Sequence, residues 1–266
     1  SESHIYYYEV GGVSAVAGLT PRPIEGKMGI LNPVDVEAAI RPMDIHQPKT
    51  TLLCLENTHN RAGGTVVSPS EMAALEEVAQ RHSLSVHLDG ARIFNGAVAL
   101  KTDVREFTRH VDSVMFCLSK GLSAPIGSLV AGDRSFIEKA RKFRKMLGGG
   151  MRQAGVIAAP GIIALEKMVD RLEEDHRNAR FLAEGLSRID RVEVDLRTVQ
   201  TNMVVFNVKG LGLSASTFVE MLSTRGVKAL DYGGFLVRMV THRGVSKDDI
   251  EYTLSAVREL VEERLS

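Results

Sequence analysis

The chain has 266 residues, 44% of them hydrophobic and 25% charged, with 33 basic and 33 acidic side chains. Such proportions belong to a globular protein with a real core, either one large domain or two smaller ones. A formal net charge of zero argues against nucleic-acid or anionic-membrane binding, and no apolar run reaches the length of a transmembrane helix.

The first residues, Ser1-Glu-Ser-His4-Ile-Tyr6-Tyr-Tyr8, begin without methionine and set a histidine among tyrosines. Residues 51–56 form a short continuous apolar run, as expected of a strand in a parallel sheet. Residues 57–64 are a loop. Ser68-Pro-Ser-Glu71 then opens a helix through about Arg81, with serine at the cap and proline and glutamate in the first turn. Further strands are predicted over 86–89, 114–118 and 127–131, and a basic helix over 135–146 that ends in Gly148-Gly-Gly150. Strands alternating with helices imply right-handed crossovers and a mostly parallel sheet.

Beyond the glycines the pattern changes. Residues 160–189 read as one long amphipathic helix with Leu165, Met168, Val169 and Leu172 on one side, and with Glu173-Glu-Asp-His-Arg177 as a solvated face. Strands with period-2 patterning follow at 192–194, 202–208 and 236–240, with helices from about Ser214 and Lys247. The expected division is a large domain over 1–160, and the long linking helix with a small α+β domain over 161–266. Cys54 and Cys117 each lie inside an apolar run and are expected to be buried reduced thiols. With no signal peptide in view, the expected compartment is the cytoplasm.

Two stretches carry most of the chemistry. Val86-His-Leu-Asp89-Gly-Ala-Arg92 and Val114-Met-Phe-Cys-Leu-Ser-Lys120-Gly121 are apolar runs that end abruptly in polar residues and glycine. A lysine at a buried strand end is expensive without a task, and desolvation fits its amine for Schiff-base chemistry. Asp89 is suited to hold a proton on a pyridine nitrogen; it also fits a turn before Gly90. Together, lysine and carboxylate are the minimal equipment for pyridoxal phosphate. Arg92 suits a carboxylate or the cofactor's hydroxyl side. His4 stacks on a flat ring or simply packs among the tyrosines. His46 and His59 sit in loops, at a site or in solvent. Gly148-Gly-Gly-Met-Arg152 is a hinge, or a set of N–H groups and a guanidinium for an anion. Arg238, inside the apolar run 236–240, anchors a carboxylate or faces solvent.

Taken together the segments resemble the low-specificity L-threonine aldolases, in the fold-type I superfamily of pyridoxal-phosphate enzymes. The strings that carry the likeness are Ser3-His4-Ile5, Leu55-Glu-Asn-Thr-His-Asn60, His87-Leu-Asp89-Gly-Ala-Arg92-Ile-Phe-Asn95, Cys117-Leu-Ser-Lys120-Gly-Leu122 and Gly148-Gly-Gly-Met-Arg152-Gln153. Arg238 followed by Val240-Thr-His242 fits as well. The resemblance spans nearly the whole chain.

It implies an α/β fold of the fold-type I class, with a mostly parallel sheet in the large domain and a smaller α+β C-terminal domain. By position, Lys120 forms the Schiff base and Asp89 pairs with the ring nitrogen. His4 stacks on the ring, and His46 is a second group near the substrate hydroxyl. Arg92 and Arg238 bind the substrate α-carboxylate, and Arg152 lies by the phosphate, of its own or of a neighbouring subunit. The implied reaction is retro-aldol cleavage of a β-hydroxy-α-amino acid, threonine or allo-threonine, to glycine and an aldehyde. The implied assembly is a homotetramer with sites at a dimer interface. An aminotransferase, a β-eliminating lyase, or an inactive module on the same fold would share Lys120 and Asp89. The family also carries an upstream segment whose Ser/Gly/Thr loop binds the phosphate. That segment has no counterpart before His4, so residues 1–266 alone are expected to bind the cofactor weakly.

Overall fold

Ser68 and Glu71 cap the helix Pro69–Arg81 reciprocally. The Glu71 N–H donates to Ser68 Oγ, and the Ser68 N–H donates to Glu71 Oε2 at 2.7 Å. Pro69 takes the first helical position, where a missing N–H costs nothing. Such a cap contributes about 1 kcal/mol. The helix buries Met72, Leu75, Val78 and Ala79 in the same core as Leu53, Leu55, Val86, Leu88, Phe107 and Val114.

The computed structural model describes residues 1–265. It divides into two units, the first formed by residues 1–61 and 66–169, the second by residues 62–65 and those from 170 onward. In the first unit, β1 (Leu52–Glu56), β2 (Ser85–Asp89), β3 (Ser113–Cys117) and β4 (Ser128–Gly132) lie side by side in that order. The first three are parallel and the fourth runs antiparallel to β3. The reversal follows from length: residues 118–127 are too few for a parallel crossover. Alternation then sorts the two faces. Val86 and Leu88 are buried, while His87 and Asp89 are half-buried on the other face of β2.

In the second unit, β5 (Glu193–Val194), β6 (Met203–Asn207), β7 (Leu230–Asp231) and β8 (Leu236–Val240) form an antiparallel sheet in the order β5-β6-β8-β7. Its core gathers Leu186, Phe206, Phe218, Leu222, Val237 and Leu260. The rings of Phe206 and Phe218 meet edge to face at 5.9 Å. Gly185 sits where a Cβ would fall 2.4 Å from Leu254 Cδ1, so the helices Leu172–Leu186 and Lys247–Leu265 approach closely only because glycine is there.

The single helix expected over 160–189 is two helices, Gly155–Lys167 and Leu172–Leu186. The apolar spacing of Leu165, Met168, Val169 and Leu172 runs straight across the break and conceals it. The acidic cluster Glu173, Glu174 and Asp175 marks the true start of the second helix, where its N-terminal dipole favours negative charge. The expected solvated face is likewise only partly so. Asp175 is 0% exposed and paired with Arg171, and the Thr241 hydroxyl donates to its carbonyl at 2.6 Å. Among the described residues no helix is long and apolar enough to cross a membrane.

Candidate active site

The carboxyl ends of β1, β2 and β3 bring the first group of residues together. Glu56, Asp89 and Met115 are register partners across the three strands, so their side chains share one face of the sheet. Asp89 Oδ1 accepts the Ala91 N–H at 3.0 Å; the carboxylate does form the turn, and its other oxygen accepts no bond among the described residues. The Gly90 N–H donates to the Met115 carbonyl at 2.8 Å. A Cβ on residue 90 would lie 2.8 Å from that same oxygen, so only glycine lets the chain leave β2 this close to β3. Arg92 follows, half-buried, immediately before the helix Ile93–Leu100.

Lys120 is three residues beyond β3, in the chain that continues from Cys117. The sequence reading expected a desolvated lysine at a buried strand end, but its side chain is exposed. The reason is local: β3 stops at Cys117, and Lys120 opens a turn in which the Ser123 N–H donates to its carbonyl at 2.9 Å. Ser123 adopts a left-handed backbone there, with φ of 62°.

His4 begins the short helix His4–Tyr7. Its ring Nδ1 is 2.6 Å from Glu9 Oε1 and its ring centroid 4.6 Å from that of Tyr8. Its backbone N–H donates to Glu56 Oε2, while Glu56 Oε1 accepts the Asn60 N–H at 2.8 Å. Beside them, burial pushes the His59 imidazole below its usual range against the opposing pull of Glu56.

On the same face of the sheet, one pleat below Asp89, His87 Nδ1 lies 2.8 Å from Ser113 Oγ. Burial lowers the His87 pKa, partly offset by Asp89. Cys54, register partner of His87, is pushed up to about 11 by burial, with Asp89 adding to it, so it stays a thiol at neutral pH. Both cysteines are free and half-buried rather than fully buried.

Two expected residues make no hydrogen bond to this group among the described residues. His46 is exposed on the loop that enters β1 from its amino end, its N–H bonded to Asp44 Oδ1 at 2.7 Å. Arg152 is exposed just past Gly148, whose φ of 85° makes the turn that ends the basic helix Arg134–Met146.

The second unit holds Arg238, half-buried on β8, with its guanidinium carbon 5.0 Å from the centroid of the Tyr232 ring. Tyr232 follows β7 directly and is 6% exposed. Sequence reasoning assigned no role to Tyr232, His87 or Glu56. Glu56 did carry a signal, because it closes an apolar run just as Asp89 does.

A family model described as beta-eliminating lyase matches residues 1–209. Over 263 residues the chain is 42% identical to the probable low-specificity L-threonine aldolase 2 of Arabidopsis thaliana, covering 97% of this chain and 74% of that protein. It is 41% identical over 249 residues to the low specificity L-threonine aldolase of Escherichia coli K12, covering 93% of this chain and 72% of that one. The solved structure of Leishmania major threonine aldolase matches 98% of this chain and 75% of its own, with a TM-score of 0.80 at 18% identity, which shows a shared fold.

Proposed function

The chain belongs to the beta-eliminating lyase family and to the low-specificity L-threonine aldolases, and on that premise we propose that it cleaves L-threonine and L-allo-threonine to glycine and acetaldehyde with pyridoxal phosphate as cofactor. The observation that carries the reading is the placement of Asp89 at the carboxyl end of β2, with Lys120 on the continuation of the adjacent strand β3. Open α/β sheets bind their ligands at that end.

The donor set fits the cofactor. Lys120 offers an exposed primary amine for an aldehyde carbon, and Asp89 offers a half-buried carboxylate with one oxygen open. When bound, pyridoxal phosphate supplies an electron sink for the pair released as the Cα–Cβ bond breaks. The protein's own groups do the rest. Asp89 keeps the ring nitrogen protonated, which deepens that sink. Arg92 and Arg238 are each candidates for the substrate α-carboxylate, for which a planar guanidinium is suited. His4 supports the ring face, and His4 or His46 takes the β-hydroxyl proton, directly or through a water. Arg152 serves the phosphate, given by a neighbouring subunit.

Low specificity follows if little around the β-substituent distinguishes the two diastereomers. The assembly we propose is a cytoplasmic homotetramer with sites at a dimer interface, serving the supply of glycine. In support, the helices Arg134–Met146 and Gly155–Lys167 leave Phe143, Met146, Val156, Ile162 and Ile163 exposed. Product analysis of threonine turnover tests the activity. Acetaldehyde with glycine is expected; a keto acid instead would make the enzyme an aminotransferase or a β-eliminating lyase.

A further inference from the structure

Glu56 is an acidic group at 6% exposure, with the His59 imidazole near enough to feel its charge. Such a carboxylate is costly to bury, and an apolar residue would serve packing better. What it gains is two backbone donors from two different segments. Oε2 accepts the His4 N–H and Oε1 accepts the Asn60 N–H at 2.8 Å. Hydrogen bonds to an ionised acceptor are about twice as strong as neutral ones.

The helix that His4 opens runs only to Tyr7, far too short to hold itself. The His4 N–H is the first of that helix, so Glu56 fixes its start. Glu9 and Tyr8 orient the His4 ring locally, and Arg61 in the loop after β1 holds Glu2, Tyr7 and Tyr8; among the described residues, the bond to Glu56 is the one that ties the His4 N–H itself to the strand end beside Asp89. We propose that Glu56 is a positioning residue for the reaction: its carboxylate, by accepting the His4 and Asn60 N–H groups together, sets the His4 ring relative to the strand end that carries Asp89. The inference rests on the role given to His4 above.

Neither neighbouring side chain can substitute. Glutamine keeps the length, but its amide nitrogen cannot accept an N–H. Aspartate keeps the charge, but is one methylene too short to reach both donors. The test is a double-mutant cycle in the full holoenzyme with Glu56→Gln, His4→Ala and the pair, with Glu56→Asp alongside in case the glutamine variant does not fold. Glu56→Gln is expected to lower kcat for L-threonine about tenfold with KM changed less than about twofold. The visible circular dichroism of the bound cofactor should change, and amide exchange over residues 3–8 should quicken in the cofactor-free protein. On the His4→Ala background the further loss should be under about twofold, because the two residues act as one unit. Full multiplication of the two effects would overturn the proposal, as would recovery of kcat in Glu56→Asp. If His4→Ala leaves kcat unchanged, the role of His4 falls and this proposal with it, while threonine cleavage itself still stands.

Discussion

The guanidinium of Arg238 lies over the ring of Tyr232, its central carbon 5.0 Å from the centroid. The pair joins β8 to the residue just past β7, two strands in register through Leu230 and Arg238. A stacked guanidinium loses side-chain freedom before any ligand arrives, so its fork is already aimed. Arg238→Ala should cost about 2–4 kcal/mol in kcat/KM for threonine, mostly through KM, because a charge-assisted carboxylate contact is lost. Tyr232→Leu should reproduce part of that loss, about 1 kcal/mol, by releasing the stack. Steady-state kinetics on both variants checks this; an unchanged KM in Arg238→Ala would place the arginine outside the substrate site.

Asp89→Asn should keep the cofactor bound while cleavage falls by on the order of a hundredfold. The amide retains the turn to Ala91 but cannot hold a proton on the ring nitrogen, so charge developing in the transition state goes unsupported. Absorbance spectra together with kcat read both halves. A near-normal kcat would leave Asp89 as a turn residue only.

His46→Asn should shift the ratio of kcat/KM between threonine and allo-threonine more than it shifts cofactor affinity. An imidazole can both accept and donate a proton, which suits transfer at a hydroxyl, and the exposed loop carrying His46 allows a change there without disturbing the sheet. An unchanged ratio with unchanged rates would remove His46 from the site.

Acid should weaken the fold early. Burial holds His176 down to about 4 from 6.5, and moves His59 and His87 the same way. The unfolded chain therefore binds protons that the folded one refuses, and stability falls as pH drops below about 6.5. His176 alone accounts for a loss of roughly 3 kcal/mol by the time pH reaches its folded value. Asp175, raised by burial, works in the opposite sense, but nearer the carboxylate range. Urea midpoints at pH 7.5 and 5 should separate clearly, and His176→Gln should narrow the gap. Equal narrowing by an exposed-site control such as His46→Gln would assign the slope elsewhere.

The strands of the first unit were legible because each is a continuous apolar run closed by a polar residue, as at Glu56 and Asp89. The capped helix at Ser68 was legible for the same local reason. The break between Lys167 and Leu172 was not, since apolar spacing passes through it unchanged. The exposure of Lys120 was hidden because the sequence does not say that β3 stops at Cys117. Tyr232 gave no signal, because β7 has only two residues. Glu56 carried its strand-end signal, but its link to His4 spans 52 positions of chain and exists only in the folded structure.

The most direct measurement is borohydride reduction of the holoenzyme followed by peptide mapping. Reduction fixes the cofactor to whichever lysine holds it. The pyridoxyl group should appear on the peptide containing Lys120, and Lys120→Ala should lose the adduct, the visible absorbance band and threonine cleavage together. A reduced adduct on another lysine, or cleavage that survives Lys120→Ala, would contradict the account.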